Sequence, residues 1–97
     1  MPTYITLIKY TQKGIENIKE GPSRLDAAKK AIKAAGGEIK TYYLTMGSYD
    51  AVSIGEASDD ATYAKTILSI ASKGAIQTET LRAFTEEEYR KIIADMP

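Results

Sequence analysis

The chain has 97 residues, room for one domain (1–97) around one hydrophobic core. Its 13 basic and 13 acidic residues cancel, so it lacks the surplus positive charge that displaces counterions from phosphates, and no nucleic-acid partner is expected. There is no cysteine and no histidine, which excludes thiol nucleophiles, disulfides, structural zinc, thiolate-bound iron–sulfur clusters, histidine-ligated haem and a Ser-His-Asp triad. No metal and no cofactor is expected, and any acid–base work falls to Asp, Glu, Lys or Tyr. The opening MPTYITLIKY has no basic segment followed by a long apolar run. No stretch approaches the roughly 20 apolar residues that span a bilayer, so a cytoplasmic protein without a membrane partner is expected.

Residues 3–10, TYITLIKY, are rich in β-branched and aromatic side chains and predict a strand. Ile5 and Leu7 point one way and Tyr4, Thr6, Ile8 and Tyr10 the other, so both faces carry bulk. A short helical turn is expected from Ile15 to Lys19, interrupted by Gly21-Pro22. A longer helix follows. It is entered either through a capping box of Ser23 with Asp26, or with Gly21 as cap and Pro22 in the first position. Leu25, Ala28, Ile32 and Ala35 form its apolar stripe, Lys29, Lys30 and Lys33 its solvated face, and Gly36-Gly37 its end.

EIKTYYLTM (38–46) and DAVSIGEA (50–57) read as the second and third strands, joined through Gly47 as an antiparallel hairpin. Ser58-Asp59-Asp60 opens the next helix with negative charge at its positive dipole end. Ala64, Ile67, Leu68 and Ala71 supply its buried stripe, and Gly74 stops it. AIQTETLRAF (75–84) is the fourth strand. Thr85 and Glu88 make a capping box for a terminal helix with Tyr89, Ile92, Ile93 and Met96 on one face. This order, with right-handed crossovers, gives an α+β fold: a ferredoxin-like βαββαβ unit with a C-terminal helix on a four-stranded antiparallel sheet. The helices cover one face. The other is half apolar, and pairing two such faces across a twofold axis would bury it, so a homodimer or higher homo-oligomer is expected.

GSYDAVSI, GAIQTETLRAF and GIENIKEGPSR together resemble the GYD-domain family, with Gly47, Tyr49 and Asp50 at the naming motif. That resemblance covers nearly the whole chain and implies a dimeric α/β-barrel assembly. It implies no particular reaction. A more distant resemblance, in the Gly-x-Tyr-Asp cluster between the second and third strands, is to the effector domain of leucine-responsive regulators. There such a cluster lies near a subunit interface that binds amino acids. No helix-turn-helix accompanies it here.

Two accounts fit Gly47-Ser48-Tyr49-Asp50. Gly47 sets a turn with positive φ, Asp50 accepts turn N–H bonds and Tyr49 covers the hairpin end; or Tyr49 and Asp50 point into a pocket at a subunit boundary. Glu79 and Arg82 lie three apart on the fourth strand and so face opposite ways. Whichever faces inward needs an ion pair or a ligand: an interfacial salt bridge, or a carboxylate or phosphate bound by Arg82. Tyr49, Asp50, Glu79 and Arg82 are thus the candidate ligand-binding residues, with Gly47 structural. Tyr4, Tyr10, Tyr42, Tyr43 and Tyr49 fall on or beside strands. Strand propensity and interface packing account for them, with a Tyr-lined cavity for a flat organic ligand as the alternative. The function expected is a small-molecule-binding or regulatory module. The alternative is a cofactor-independent enzyme, of oxygenase or isomerase type, using Asp50, Glu56 or Glu79 at a raised pKa.

Overall fold

A computed structural model describes residues 1–97. Strand β1 (Thr3–Tyr10) leads through a short helix α1 (Gln12–Glu16) and a 3-10 turn (Ile18–Glu20) into α2 (Gly21–Ala34). The hairpin β2 (Glu38–Leu44) and β3 (Ala51–Glu56) follows, then α3 (Asp60–Ala71), β4 (Ile76–Ala83) and α4 (Glu86–Ala94). The sheet is antiparallel in the order β2-β3-β1-β4, with β1 and β3 at its centre.

The alternation of β1 sets the two faces. Tyr4, Thr6 and Ile8 are buried toward α2 and α3, while Ile5 and Leu7 lie half-buried on the opposite, open face. The register carries this division across the sheet. Tyr4, Thr6 and Ile8 stand opposite Gly55, Ser53 and Ala51 of β3 and opposite Arg82, Thr80 and Thr78 of β4. Ile5 and Leu7 stand opposite Ile54 and Val52, and opposite Leu81 and Glu79. On β2 the register shifts at Lys40, whose ammonium lies 3.4 Å from Glu38 and 3.1 Å from Glu56. Glu38 and Glu56 are direct cross-strand partners, a repulsive pair that the extra lysine neutralises.

The core is small: Tyr4, Ile32, Ala57 and Tyr63. Tyr4 and Tyr63 stack face to face with centroids 4.1 Å apart and planes 5° apart. Each phenol has a partner, as a buried hydroxyl requires. Tyr4 donates to Asp60 Oδ1 at 2.5 Å, and Tyr63 shares a 2.5 Å hydrogen bond with Thr6 Oγ1. Beside this core, the absence of a side chain at Gly37 lets the Glu56 carbonyl approach into the space a Cβ would occupy.

Several elements differ from the sequence expectation. The first helical turn begins earlier, at Gln12, because Thr11 caps it by accepting from Gly14 N–H. Helix α2 starts at Gly21 with Pro22 in its first turn; Ser23 donates to the Glu20 carbonyl instead of capping. The inward face of α3 is Tyr63, Thr66, Ile67 and Ile70, whereas Ala64 and Leu68 are exposed. Stacking of Tyr63 on Tyr4 fixes that rotation. Asp59 caps α3 by accepting from Thr62 N–H at 2.8 Å, which holds its carboxyl below the usual range. The Thr85–Glu88 capping box of α4 forms in both directions. Its apolar stripe, however, is uncovered: Tyr89, Ile92, Ile93 and Met96 are 46–61% exposed. No helix is long and apolar enough to cross a membrane.

Burial, and then the bond to Asp60, push the Tyr4 phenol up to about 12 from 10.0. The folded state therefore holds this proton more tightly than the unfolded chain does. The stabilisation is complete below pH 10 and is lost as pH rises from there through about 12. Tyr4→Phe should cost about 1 kcal/mol at neutral pH through the lost hydrogen bond. It should also flatten the decline of stability in that alkaline window, as followed by urea melts across pH.

Candidate functional site

Between the helix-side face of the sheet and helices α2 and α3 lies a cavity of about 470 Å³. Its roof is apolar: Leu25, Ala28 and Ile32 from α2, Ile67 and Ile70 from α3. Its floor carries hydroxyls at helix-facing positions of all four strands, Thr6, Tyr10, Tyr42, Ser53 and Thr78. The space exists because β3 contributes only Ala51, Ser53 and Gly55 to this face. The half-buried Tyr42 phenol meets Tyr10, and desolvation first, then that contact, drive its proton affinity well above the ordinary tyrosine value. Burial likewise raises Tyr63, partly opposed by hydrogen bonds with Thr6 and Ser53. These hydroxyls are held protonated, as neutral donors and acceptors.

The turn between β2 and β3, residues 45–50, adjoins the cavity without lining it. Gly47 has φ +145°, in the region that favours glycine. Asp50 closes the end of β1: its backbone N–H donates to the Ile8 carbonyl at 2.8 Å, and its carboxylate accepts from Tyr10 N–H at 2.9 Å. The hairpin also closes on itself, with Thr45 N–H donating to the Asp50 carbonyl and Thr45 Oγ1 to the Tyr49 carbonyl. Asp50 thus fixes the backbone of a residue, Tyr10, whose side chain is in the cavity wall.

Tyr49 turns the other way. Its phenol donates to Glu79 Oε1 at 2.8 Å, which raises its proton affinity, and the Lys9 ammonium stands 5.6 Å from the ring centroid. Together with Leu7 and Gln77 these residues line a shallow hollow of about 190 Å³ on the open face. Arg82 is on the opposite face, toward α3. Its guanidinium lies 3.7 Å from Asp60 and over the rings of Tyr4 (5.8 Å) and Phe84 (4.5 Å), and donates to the Ala83 carbonyl. Tyr49 and Glu79 are therefore brought together, Asp50 is tied to β1, and Arg82 stands apart from all three. None of the four lines the cavity. Sequence reasoning reached part of this lining, Tyr10 and Tyr42 in the alternative of a Tyr-lined cavity, and missed Thr6, Ser53 and Thr78, which lie at helix-facing positions where a packed core has larger apolar groups; that was the available signal.

Comparison with known proteins supports the fold. Residues 4–93 match the model of the GYD domain. A protein of Thermus thermophilus, named as a glutamine synthetase and cystathionine β-lyase binding protein, is 36% identical over 84 residues, covering 86% of this chain and 88% of its own. A crystal structure of a Thermus thermophilus protein superposes with a TM-score of 0.56 at 25% identity, covering 88% of this chain and 95% of that one. The 5-chloro-2-hydroxyhydroquinone dehydrochlorinase of Burkholderia phenoliruptrix AC1100, solved with 2,5-dihydroxybenzoquinone, superposes with a TM-score of 0.61 at 17% identity. It covers 90% of this chain and 97% of that one, and shares the fold alone. The matched residues run through every strand and helix described above, and the chain belongs to the GYD-domain family.

Proposed function

We propose that this protein is a binding module that takes a small organic ligand in the cavity between the sheet and α2 and α3, with a regulatory rather than a catalytic role. The observation that carries this is the cavity itself, about 470 Å³ and largely apolar over a floor of hydroxyls. That volume is within the range that encloses a drug-sized molecule. The enzyme alternative draws less support from the same geometry. Of the carboxylates it would use, Asp50 is tied to Tyr10 N–H, Glu56 to Lys40 and Glu79 to Tyr49. All three are outside the cavity lining. The Tyr42 phenol in its wall has a raised proton affinity, which suits donation to a ligand and opposes proton abstraction near neutrality.

The assembly belongs to the same reading. The open face presents Ile5, Leu7, Val52, Ile54 and Leu81 with no helix over them. Burial against a second copy would cover this face and complete a dimeric α/β barrel, with Tyr49, Glu79 and Lys9 at the subunit boundary. A second reading, as an accessory that binds enzymes, is favoured by the name of the Thermus relative.

Four outcomes are expected. Ala28→Phe, which puts a ring into the cavity, should keep or raise the melting temperature while native mass spectrometry of freshly purified protein loses any retained small molecule. Asp50→Asn should cost about 1 kcal/mol through the weakened bond to Tyr10 and leave retention largely intact. Equal retention by the Ala28 variant would remove the cavity from the function. Ile54→Lys, at the centre of the open face, should convert the oligomer to a folded monomer by light scattering; an unchanged mass would place the interface elsewhere. On the second reading, the protein should co-elute with glutamine synthetase or cystathionine β-lyase from the same organism at micromolar concentrations. Separate elution from both would remove that reading.

A further inference from the structure

The charges around the cavity are of one sign. Arg24 and Lys73 are the only charged residues in its lining, and no carboxylate joins them. Both meet α1 at the same end of the molecule. Arg24 donates to the carbonyls of Gly14 (3.3 Å) and Asn17 (3.0 Å), and the neighbouring Lys13 ammonium donates to the Lys73 carbonyl at 3.0 Å. Two cations, Arg24 and Lys73, are therefore in the lining, and a third, Lys13, is bonded to the backbone of Lys73. Against them stands a single ion pair, Glu20 with Arg24 at 3.6 Å, whose carboxylate is largely solvated. The ammonium groups of Lys13 and Lys73 pair with no carboxylate.

The backbone at this mouth has the same polarity. Gly21 and Pro22, the first residues of α2, line the cavity there. The helix has no side-chain cap at its start and no acidic residue in its first turn; Glu20, at the capping position, turns its carboxylate to Arg24 instead of to the helix N–H groups. Deeper in, the walls offer aliphatic side chains and neutral hydroxyls, where a charge would be costly to desolvate. An apolar interior below a cationic rim matches a molecule with an apolar body and one negative end.

We propose that the cavity takes an amphipathic organic monoanion, its apolar body between the sheet and the helices and its carboxylate-type head at the mouth beside Arg24 and Lys73. This rests on the ligand-binding reading above and names the chemical class and the orientation of the ligand. The rim supplies selectivity for charge and the interior supplies the binding energy, since ion pairs at a wet rim contribute little and buried apolar surface contributes more.

Isothermal titration of the full-length protein with decanoate, decanol and decylamine, three probes with one chain and different heads, separates the possibilities. Decanoate should bind roughly tenfold tighter than decanol, with decylamine weakest, and raised salt should shrink the gap. Lys73→Gln should weaken decanoate roughly three- to fivefold, the scale of an exposed ion pair, and leave decanol unchanged. Ala28→Phe should abolish binding of all three, which assigns the signal to this cavity. Equal affinity for decanoate and decanol, or tightest binding of decylamine, overturns the head-group assignment and leaves the cavity reading standing. Decanoate binding that survives Ala28→Phe overturns the site. Failure of all three probes to bind overturns the cavity reading as well.

Discussion

The stack of Tyr4 on Tyr63 sets the distance between the sheet and α3, and much of the molecule follows from it. The two rings, parallel and 4.1 Å apart, bridge helix and sheet. At the stacked end, Ile32, Ala57 and the close approach at Gly37 fill what remains. Toward the other end no large pair repeats the stack. β3 offers Ala51, Ser53 and Gly55 to the helices, and these cannot reach a roof spaced by tyrosines. At the far end α1 is pressed onto the chain before β4, with a Cβ at Gly14 excluded by the Ala75 carbonyl and Thr11 donating to the Gly74 carbonyl. The sheet and helices are thus fastened at two ends and separated in the middle. The cavity is what large residues at one end and small ones in the centre leave behind.

How much of this was legible in the sequence depended on whether a feature was local. Strands, helices and the hairpin come from periodicity, turn residues and caps, which act over a few positions; hence the order of elements and the Thr85–Glu88 box are as expected. The opposite orientations of Glu79 and Arg82 follow from the two-residue period of a strand. What failed depended on partners distant in sequence. On α3 the apolar count favoured Ala64 and Leu68, but Tyr63 has its ring partner on β1, and that contact rotates the helix. On α4 the stripe was readable as amphipathic, yet nothing local says what an amphipathic stripe packs on, and it lies exposed. The cavity is a difference between volumes on four strands and two helices, which no single segment encodes. Its one local trace was the row of hydroxyls and small residues on the helix-side face.

The Gly47-Ser48-Tyr49-Asp50 corner shows how a turn serves two surfaces. Gly47, at positive φ, lets the chain reverse. Tyr49 and Asp50, adjacent in the bend that follows, separate at once. Asp50 goes to the edge of β1, where its carboxylate takes the Tyr10 N–H beyond the last rung that β3 supplies. Tyr10 is thereby held with its ring in the cavity wall against Tyr42. Tyr49 goes to the open face and is bound by Glu79 across β1, with the Lys9 ammonium near its ring. Tyr10 and Lys9 are adjacent on one strand and point to opposite sides. The hairpin therefore grips β1 on both faces at the same place. An aspartate suits the inner grip because it is short and accepts from a backbone N–H; a tyrosine suits the outer one because it reaches a carboxylate two strands away. On the proposed reading, the ligand-facing wall and the face available to a second copy meet in this four-residue segment, and a group that shifts Tyr10 must strain the same turn that positions Tyr49.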